Sequence, residues 1–278
     1  MKFAKMHGLG NDFVLVNGFK EQMPADINAF SKEVCNRYFG IGGDGLIILA
    51  PSTESTAAAS FLIYNSDGSQ AEMCGNGLRC AALFARREGI VNSDEFIFET
   101  LGGLVSPKIL DSEQNIVRVD MGMPKLMPAE IPANFTGSRV VGAPLLVYAR
   151  MYYVTLVSMG NPHCVVFVDD VEDFPLSKIG PQIETHNLFP TGMNFEIVQL
   201  LDDTHIKMRV WERGCGETFA CGSGACAATV AAILNGYTKN NVEVILRHGS
   251  LDVEWTENSH LFMTGPAALV FEGKYCSK

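Results

Sequence analysis

The chain has 278 residues, of which 47% are hydrophobic and 19% charged, with a net charge of −10. This is the composition of a globular protein with a real core, and the absence of any Lys/Arg run argues against nucleic acid or an anionic membrane surface as main partner. No apolar run reaches the roughly 18 residues of a membrane span.

The N-terminal segment, 1–8, lacks an apolar signal core and enters a strand-like pattern directly, so a cytoplasmic location is expected. Strands are predicted over 2–6 and 12–17. Pro24-Ala25-Asp26 then reads as a helix start, with Ile27, Phe30, Val34 and Tyr38 at helical spacing and Gly40 as the stop. Short buried strands follow at 46–49 and 61–64. A helix over 75–86 has almost no polar face before Arg86, so it is expected to be enclosed. Strands are predicted at 96–99, 104–110 and 117–121, and Pro124, Pro128 and Pro132 mark a linker.

The second half repeats the plan. Strands are predicted at 152–157, 164–168, 195–199 and 205–211, with a short helix at 181–188. A second apolar helix covers 225–234, and late strands cover 242–246, 251–255 and 261–264. Val270-Phe271-Glu272 is expected to return to the first half. The expected fold is α/β (α+β), with two pseudo-symmetric halves, 1–121 plus 267–278 and 122–266. Each is a mostly antiparallel curved sheet or barrel around a central helix, with the active site in the cleft between them.

Two matched cysteines give this plan its chemistry. Cys74 stands in Met73-Cys74-Gly75-Asn76-Gly77, and Cys221 in Ala220-Cys221-Gly222-Ser223-Gly224. Nine residues upstream lie Asn65 and Glu212, each after an aromatic residue that closes an alternating run. Further upstream, Gly10-Asn11-Asp12 matches Gly160-Asn161-Pro162 at nearly the same offset. Three landmarks in one order indicate an internal duplication.

A thiol at a helix N-terminus faces unpaired N–H groups and a partial positive charge, which favours thiolate. The flanking glycines let backbone N–H groups approach a carboxylate closely. Two such thiols facing one carbon would remove a proton from one side and deliver one to the other, inverting that carbon without a cofactor. Helix dipoles would stabilise the charge that grows on the carboxylate. The other cysteines read mostly as small buried hydrophobes, and their spacings do not suit a zinc site, so no metal is expected.

The segments 7–13, 72–77, 160–163 and 220–224 resemble diaminopimelate epimerase, and the resemblance runs through essentially the whole chain in order. It implies interconversion of LL- and meso-diaminopimelate without pyridoxal phosphate, on the route to lysine and peptidoglycan precursors, by a protein that is a homodimer. It implies that Cys74 and Cys221 are the acid/base thiols and that His163 and Glu212 tune their protonation. It also places Asn11, Asn65, Asn161, Asn194, Glu212 and Arg213 at the substrate, whose distal amino group needs acceptors and whose distal carboxylate suits Arg213. Gly75, Asn76, Gly222 and Ser223 would hold the reacting carboxylate through backbone N–H groups, with Gly45 a backbone contact where some members carry Gln. Phe271 would serve a dimer interface.

Proline racemase or hydroxyproline epimerase shares the two-thiol plan but typically shows His where this chain has Asn76. A cysteine hydrolase built on Cys164 and His163 would leave the symmetry of Cys74 and Cys221 unexplained. A thiol-based metal-binding or redox-sensing protein is the non-enzymatic alternative.

Overall fold

The computed structural model describes residues 1–276. The chain forms two compact units, one of 1–120 with the segment from Thr264 onward, the other Met121–Met263.

In the first unit the elements are β1 (Lys2–Gly8), β2 (Asn11–Asn17), α1 (Ile27–Cys35), β3 (Gly45–Ala50), β4 (Ala59–Asn65), β5 (Gln70–Ala71), α2 (Gly75–Arg87), β6 (Phe98–Thr100), β7 (Gly103–Val105), β8 (Pro107–Asp111) and β9 (Ile116–Asp120). The second unit holds a 3-10 turn, Pro128–Glu130, then β10 (Ala143–Val147), β11 (Arg150–Ser158), β12 (Pro162–Phe167), α3 (Leu176–Glu184), β13 (Asn194–Leu200), β14 (His205–Glu212), β15 (Gly216–Thr218), α4 (Gly222–Leu234), β16 (Asn241–Leu246) and β17 (Gly249–Trp255). The chain passes back to the first unit along β18 (Leu261–Pro266), and β19 (Ala268–Lys274) pairs antiparallel with β1.

The two units share one strand topology. The first runs β19-β1-β2-β3-β4-β6-β7 with β5 on β4; the second runs β10-β11-β12-β13-β14-β16-β17 with β15 on β14. In each, the third pair is parallel (β2–β3, β12–β13), as is the fifth (β4–β6, β14–β16), and the other pairs are antiparallel. A helix fills each parallel crossover: α1 lies between β2 and β3, and α3 between β12 and β13. Among the described residues neither path returns to its first strand, so the sheets are open and the barrel alternative is corrected.

The central helices α2 and α4 have 13 residues each, with Cys74 and Cys221 as their N-caps. Their small residues let the sheets approach closely: α2 packs on β1, β2, β8 and β9, and α4 on β11, β12, β13 and β17. Leu78, Ala81, Ala82 and Ala85 of α2 are fully buried, as are Ala227, Ala228 and Val230 of α4. This rigid packing fixes where each N-terminus points.

Three local expectations are corrected. α1 ends at Cys35 instead of running to Gly40, and Tyr38 is 90% exposed. Asn36 Oδ1 accepts from the N–H groups of Tyr38 and Phe39, an alternative to helical bonding that stops the helix. α3 begins after Pro175, five residues before Gly180, so Pro181 lies inside the helix and does not start it. Gly180 is needed there because a Cβ would lie 2.5 Å from the Trp211 ring. The strand expected over 104–110 is two strands, broken before Pro107, which has no N–H to continue a ladder.

Candidate active site

In the first unit the chain delivers three predicted residues to one spot. Cys74 caps α2 in an extended conformation, and its Sγ accepts from Gly77 N–H at 3.4 Å. Asn11 begins β2 after Gly10, whose φ of +91° makes the turn from β1. Asn11 Oδ1 accepts from Asn76 Nδ2 at 3.1 Å and lies 3.9 Å from the Cys74 thiol, which donates to it. The buried Asn76 is itself held by Arg79, whose Nη2 donates to Asn76 Oδ1 at 3.0 Å.

Asn11 is oriented from its other side. Its Nδ2 donates to Asp44 Oδ2 at 2.8 Å, which turns Oδ1 toward Cys74. Asp44 sits in a charge cluster: Arg37 bridges Asp12 and Asp44 at 2.7 Å each, and Lys5 pairs with Asp12 at 2.6 Å while donating to Gly42 O. Burial pushes the Asp12 carboxyl up, but hydrogen bonds from Arg37 and Lys5 outweigh it and hold it at about 2. Asn65 ends β4, exposed, donating to Ser69 Oγ at 2.9 Å. Gly45 is its cross-strand partner, and a Cβ there would meet Tyr64 O at 2.8 Å. The absence of a side chain at Gly45 is therefore explained by packing.

The second unit repeats the backbone and changes the chemistry. Cys221 caps α4 and accepts from Gly224 N–H at 3.4 Å. Asn161 follows Gly160, which has a φ of +96°. Here the Asn161 amide donates, through Nδ2, to Ser223 Oγ at 3.2 Å, and Ser223 Oγ lies 3.5 Å from Cys221 Sγ. Asn161 Oδ1 faces His163 Nε2 at 3.0 Å, and His163 Nδ1 faces Glu196 Oε1 at 2.7 Å. Glu212, at the end of β14, accepts from Thr218 Oγ1, and its charge bears on Cys221. Asn194 is spent on backbone: it donates to Pro162 O at 2.8 Å and accepts from Arg213 N–H at 2.9 Å, fixing where Arg213 leaves the strand. Arg213 is exposed, with Nη1 donating to Thr191 O at 2.9 Å.

The expected lowering of the thiol pKa is reversed at Cys221. Burial, then the charges of Glu212 and Glu196, push this thiol well above its ordinary range despite the α4 N-terminus. Burial likewise raises the Glu212 carboxyl. Cys80, buried on α2 behind Cys74, is pushed by burial up to about 12, and Cys35 to about 11, so both stay protonated at neutral pH.

Sequence reasoning missed Asp44, Thr218, Arg79 and above all Glu196, which is fully buried and whose Oε2 has no hydrogen-bond partner among the described residues. Its signal was available: a single acid inside the apolar run Phe195-Glu196-Ile197-Val198. Phe271 lies on β19, 46% exposed and edge-on to Phe3. Among the described residues no group of three or more His, Cys, Asp or Glu could hold a metal ion, and no helix is long and apolar enough to cross a membrane.

The profile of one protein family, diaminopimelate epimerase, matches residues 3–127 and 155–270. A protein of Pelotomaculum thermopropionicum named diaminopimelate epimerase is 51% identical over 278 residues, covering 99% of both chains. The chain belongs to the diaminopimelate epimerase family. A second relative of that name, from Moorella thermoacetica, is 48% identical over 99% of both chains. Among solved structures, a probable proline racemase from Agrobacterium radiobacter K84 superposes with a TM-score of 0.71 at 15% identity, over 100% of this chain and 93% of that one. A PhzF-family phenazine biosynthesis protein of Bacillus anthracis gives 0.70 at 14%, over 100% and 99%. At such identities the likeness is one of fold. The diaminopimelate epimerase family thus shares its architecture with proteins of other names.

Proposed function

We propose that this chain is a cofactor-independent epimerase of the cytoplasm, interconverting LL- and meso-2,6-diaminopimelate for lysine and peptidoglycan precursor synthesis. The observation that carries the reading is full-length identity of 51% to a protein of that name, across both cysteine-capped helices. Cys221 starts as the thiol, because burial and then the charge of Glu212 keep its proton on; Cys74 acts as the base once it has released to solvent the proton it otherwise donates to Asn11 Oδ1. Cys74 takes the α-proton and becomes a thiol. Cys221 delivers its proton to the opposite face of the same carbon and becomes a thiolate, so the proton count of the enzyme is unchanged. The negative charge passing through the α-carbon spreads into the carboxylate, which backbone N–H groups of Gly75, Asn76, Gly222 and Ser223 bind. Arg213 takes the distal carboxylate, and Asn11, Asn65 and Asn161 line the substrate with amide groups. Gly45 is a backbone neighbour of Asn65, and Asn194 acts through Arg213. The return reaction exchanges the roles of the two thiols.

A homodimer through β19 is part of the proposal. This edge strand exposes Leu269, Val270 and Phe271, an apolar row of the kind that pairs with another chain. Light scattering on the purified protein reads the oligomer directly.

The deciding experiment is incubation of LL-diaminopimelate in deuterated water. Inversion with deuterium entering the α-position is expected, and neither Cys74→Ala nor Cys221→Ala should turn over. Normal turnover by either single variant would sink the two-thiol mechanism. A bell-shaped pH profile is expected because one thiol must be charged and the other neutral.

A further inference from the structure

We propose that Glu196 is a positioning residue that sets the direction of a four-bond hydrogen-bond relay ending on Cys221. The relay runs Glu196 Oε1 to His163 Nδ1 at 2.7 Å, His163 Nε2 to Asn161 Oδ1 at 3.0 Å, Asn161 Nδ2 to Ser223 Oγ at 3.2 Å, and Ser223 Oγ to Cys221 Sγ at 3.5 Å. All five residues belong to the second unit.

Each link dictates the next. Asn161 Oδ1 is an acceptor only, so His163 Nε2 carries a hydrogen. His163 Nδ1 meets a carboxyl oxygen, so that contact holds a hydrogen too, on one atom or the other. The pair therefore holds two protons and is neutral as a unit, which suits its complete burial and the orphaned Oε2. With its oxygen engaged by His163, Asn161 must turn Nδ2 to Ser223. Ser223 Oγ, accepting from Asn161 on one lone pair, keeps its hydroxyl hydrogen to give to Cys221 Sγ when that sulfur is a thiolate. A donor aimed at sulfur stabilises the thiolate, opposing the burial and the acidic neighbours that favour the thiol. The relay thus keeps Cys221 able to release its proton. The titratable groups acting on Cys221 are Glu212, which is bonded to Thr218, and Glu196, paired with His163 in the relay.

The duplication provides an internal control. Phe13 pairs with Gly45 in the parallel β2–β3 register, and His163 pairs with Asn194 in β12–β13. His163 thus corresponds to Phe13, and Glu196, two residues past Asn194, corresponds to Ile47. The helix glycines agree: a Cβ on Gly77 would meet Ile47 Cδ1 at 3.0 Å, and one on Gly224 would meet Glu196 Oε1 at 2.8 Å. A buried Phe–Ile pair in one unit is a buried His–Glu pair in the other. Without the polar pair, the first unit orients Asn11 by Asp44, which reverses the amide and presents oxygen to its thiol. The fold tolerates an apolar pair at this place, so the polar pair serves the thiol and not the packing.

The inference deepens the epimerase reading and names the residue that tunes Cys221, but its test needs no substrate. The peptide-resolved rate at which methyl methanethiosulfonate modifies Cys221 at fixed pH below its titration reads the thiolate fraction. Removing the relay's last donor with Ser223→Ala is expected to slow modification about fivefold, the worth of one neutral hydrogen bond. Glu196→Leu, which keeps volume, and His163→Phe, which restores the first unit's residue type, should each slow it by a similar factor. Glu196→Gln, whose amide can still donate to Nδ1, should restore the parent rate. In the Ser223→Ala background the Glu196 and His163 changes should add nothing. An equal slowing in both backgrounds, or a faster rate in Glu196→Leu, would show that Glu196 acts by its charge through space and overturn the relay. Should one variant fail to fold, the other carries the same cycle. Loss of epimerase activity in the parent would refute the function while leaving this result standing.

Discussion

Asp12→Asn should destabilise the first unit more at neutral pH than in acid, and the structure gives the size. The Asp12 carboxyl is held at about 2 against an ordinary 3.8, with a side chain 17% exposed. At about 1.36 kcal/mol per pKa unit, the ionised form contributes about 2.5 kcal/mol of stability at pH 7. Because the folded value is depressed, this contribution is complete above the unfolded pKa of 3.8 and is lost as pH falls through about 2. About half of it should remain at pH 3. The substitution also leaves Lys5, 8% exposed, without its carboxylate, which brings the total loss at pH 7 to about 3–5 kcal/mol. The assay is urea unfolding of parent and variant at pH 7 and pH 3, following the first-unit transition where the two units melt apart. The gap should narrow by about 1 kcal/mol in acid. A gap that is constant or wider at pH 3 would refute the assignment of Asp12 as an ionised hub. The same cluster holds Asp44, and through it Asn11 beside Cys74, so activity should fall with stability.

Glu212→Gln removes the charge that, after burial, most raises the Cys221 thiol, so Cys221 modification should begin at lower pH while epimerisation slows by about 100-fold or more; an upward shift of the modification profile would contradict the placement of Glu212. The paired helix glycines should respond unequally to Ala. Gly224→Ala forces a methyl to within 2.8 Å of the buried Glu196 carboxyl and 3.3 Å of Cys221 Sγ, and should cost about 1–3 kcal/mol. Gly77→Ala meets the movable tips of Ile47 and Ile63 at 3.0 and 3.3 Å, and the better helix propensity of Ala offsets most of the strain, leaving about 1 kcal/mol or less. Urea unfolding decides, and an equal or larger loss at Gly77 would count against the contrast.

The duplicated landmarks were legible because they are backbone features. Gly10-Asn11 and Gly160-Asn161, and the two Cys-Gly-x-Gly helix starts, need particular residues at particular turns, and those residues are visible in a string of letters. The end of α1 was not legible from periodicity, because Asn36 redirects its own following N–H groups where the apolar spacing still continued to Tyr38. The reversed pKa at Cys221 was hidden for a different reason. A helix N-terminus is a local property, but the burial that outweighs it comes from strands far away in sequence. Nor could the sequence disclose that Asn11 and Asn161, identical residues in identical turns, orient their amides differently, Asn11 turning Oδ1 to Cys74 and Asn161 turning Nδ2 to Ser223. That depends on Asp44 in one unit and His163 in the other, which only the strand register brings into place.

The extent of this asymmetry bears on what it is for. If the two thiols were equivalent, a resting enzyme with one proton between them would have it on the productive side about half the time, a loss of only about twofold in apparent affinity. Proton placement alone therefore gives little reason to depart from symmetry. Yet the second unit has Glu212 where the first has Asn65, Arg213 where the first has Ser66, and Glu196 where the first has Ile47. An exposed guanidinium, a half-buried acid and a fully buried one are far more than a twofold problem requires. The diamino diacid of the proposed reaction presents a second ammonium and a second carboxylate, and a smaller amino acid would lack the carboxylate proposed to meet Arg213. Under the proposed function, the charged residues of the second unit are where the duplicated backbone is turned toward a longer and doubly zwitterionic substrate.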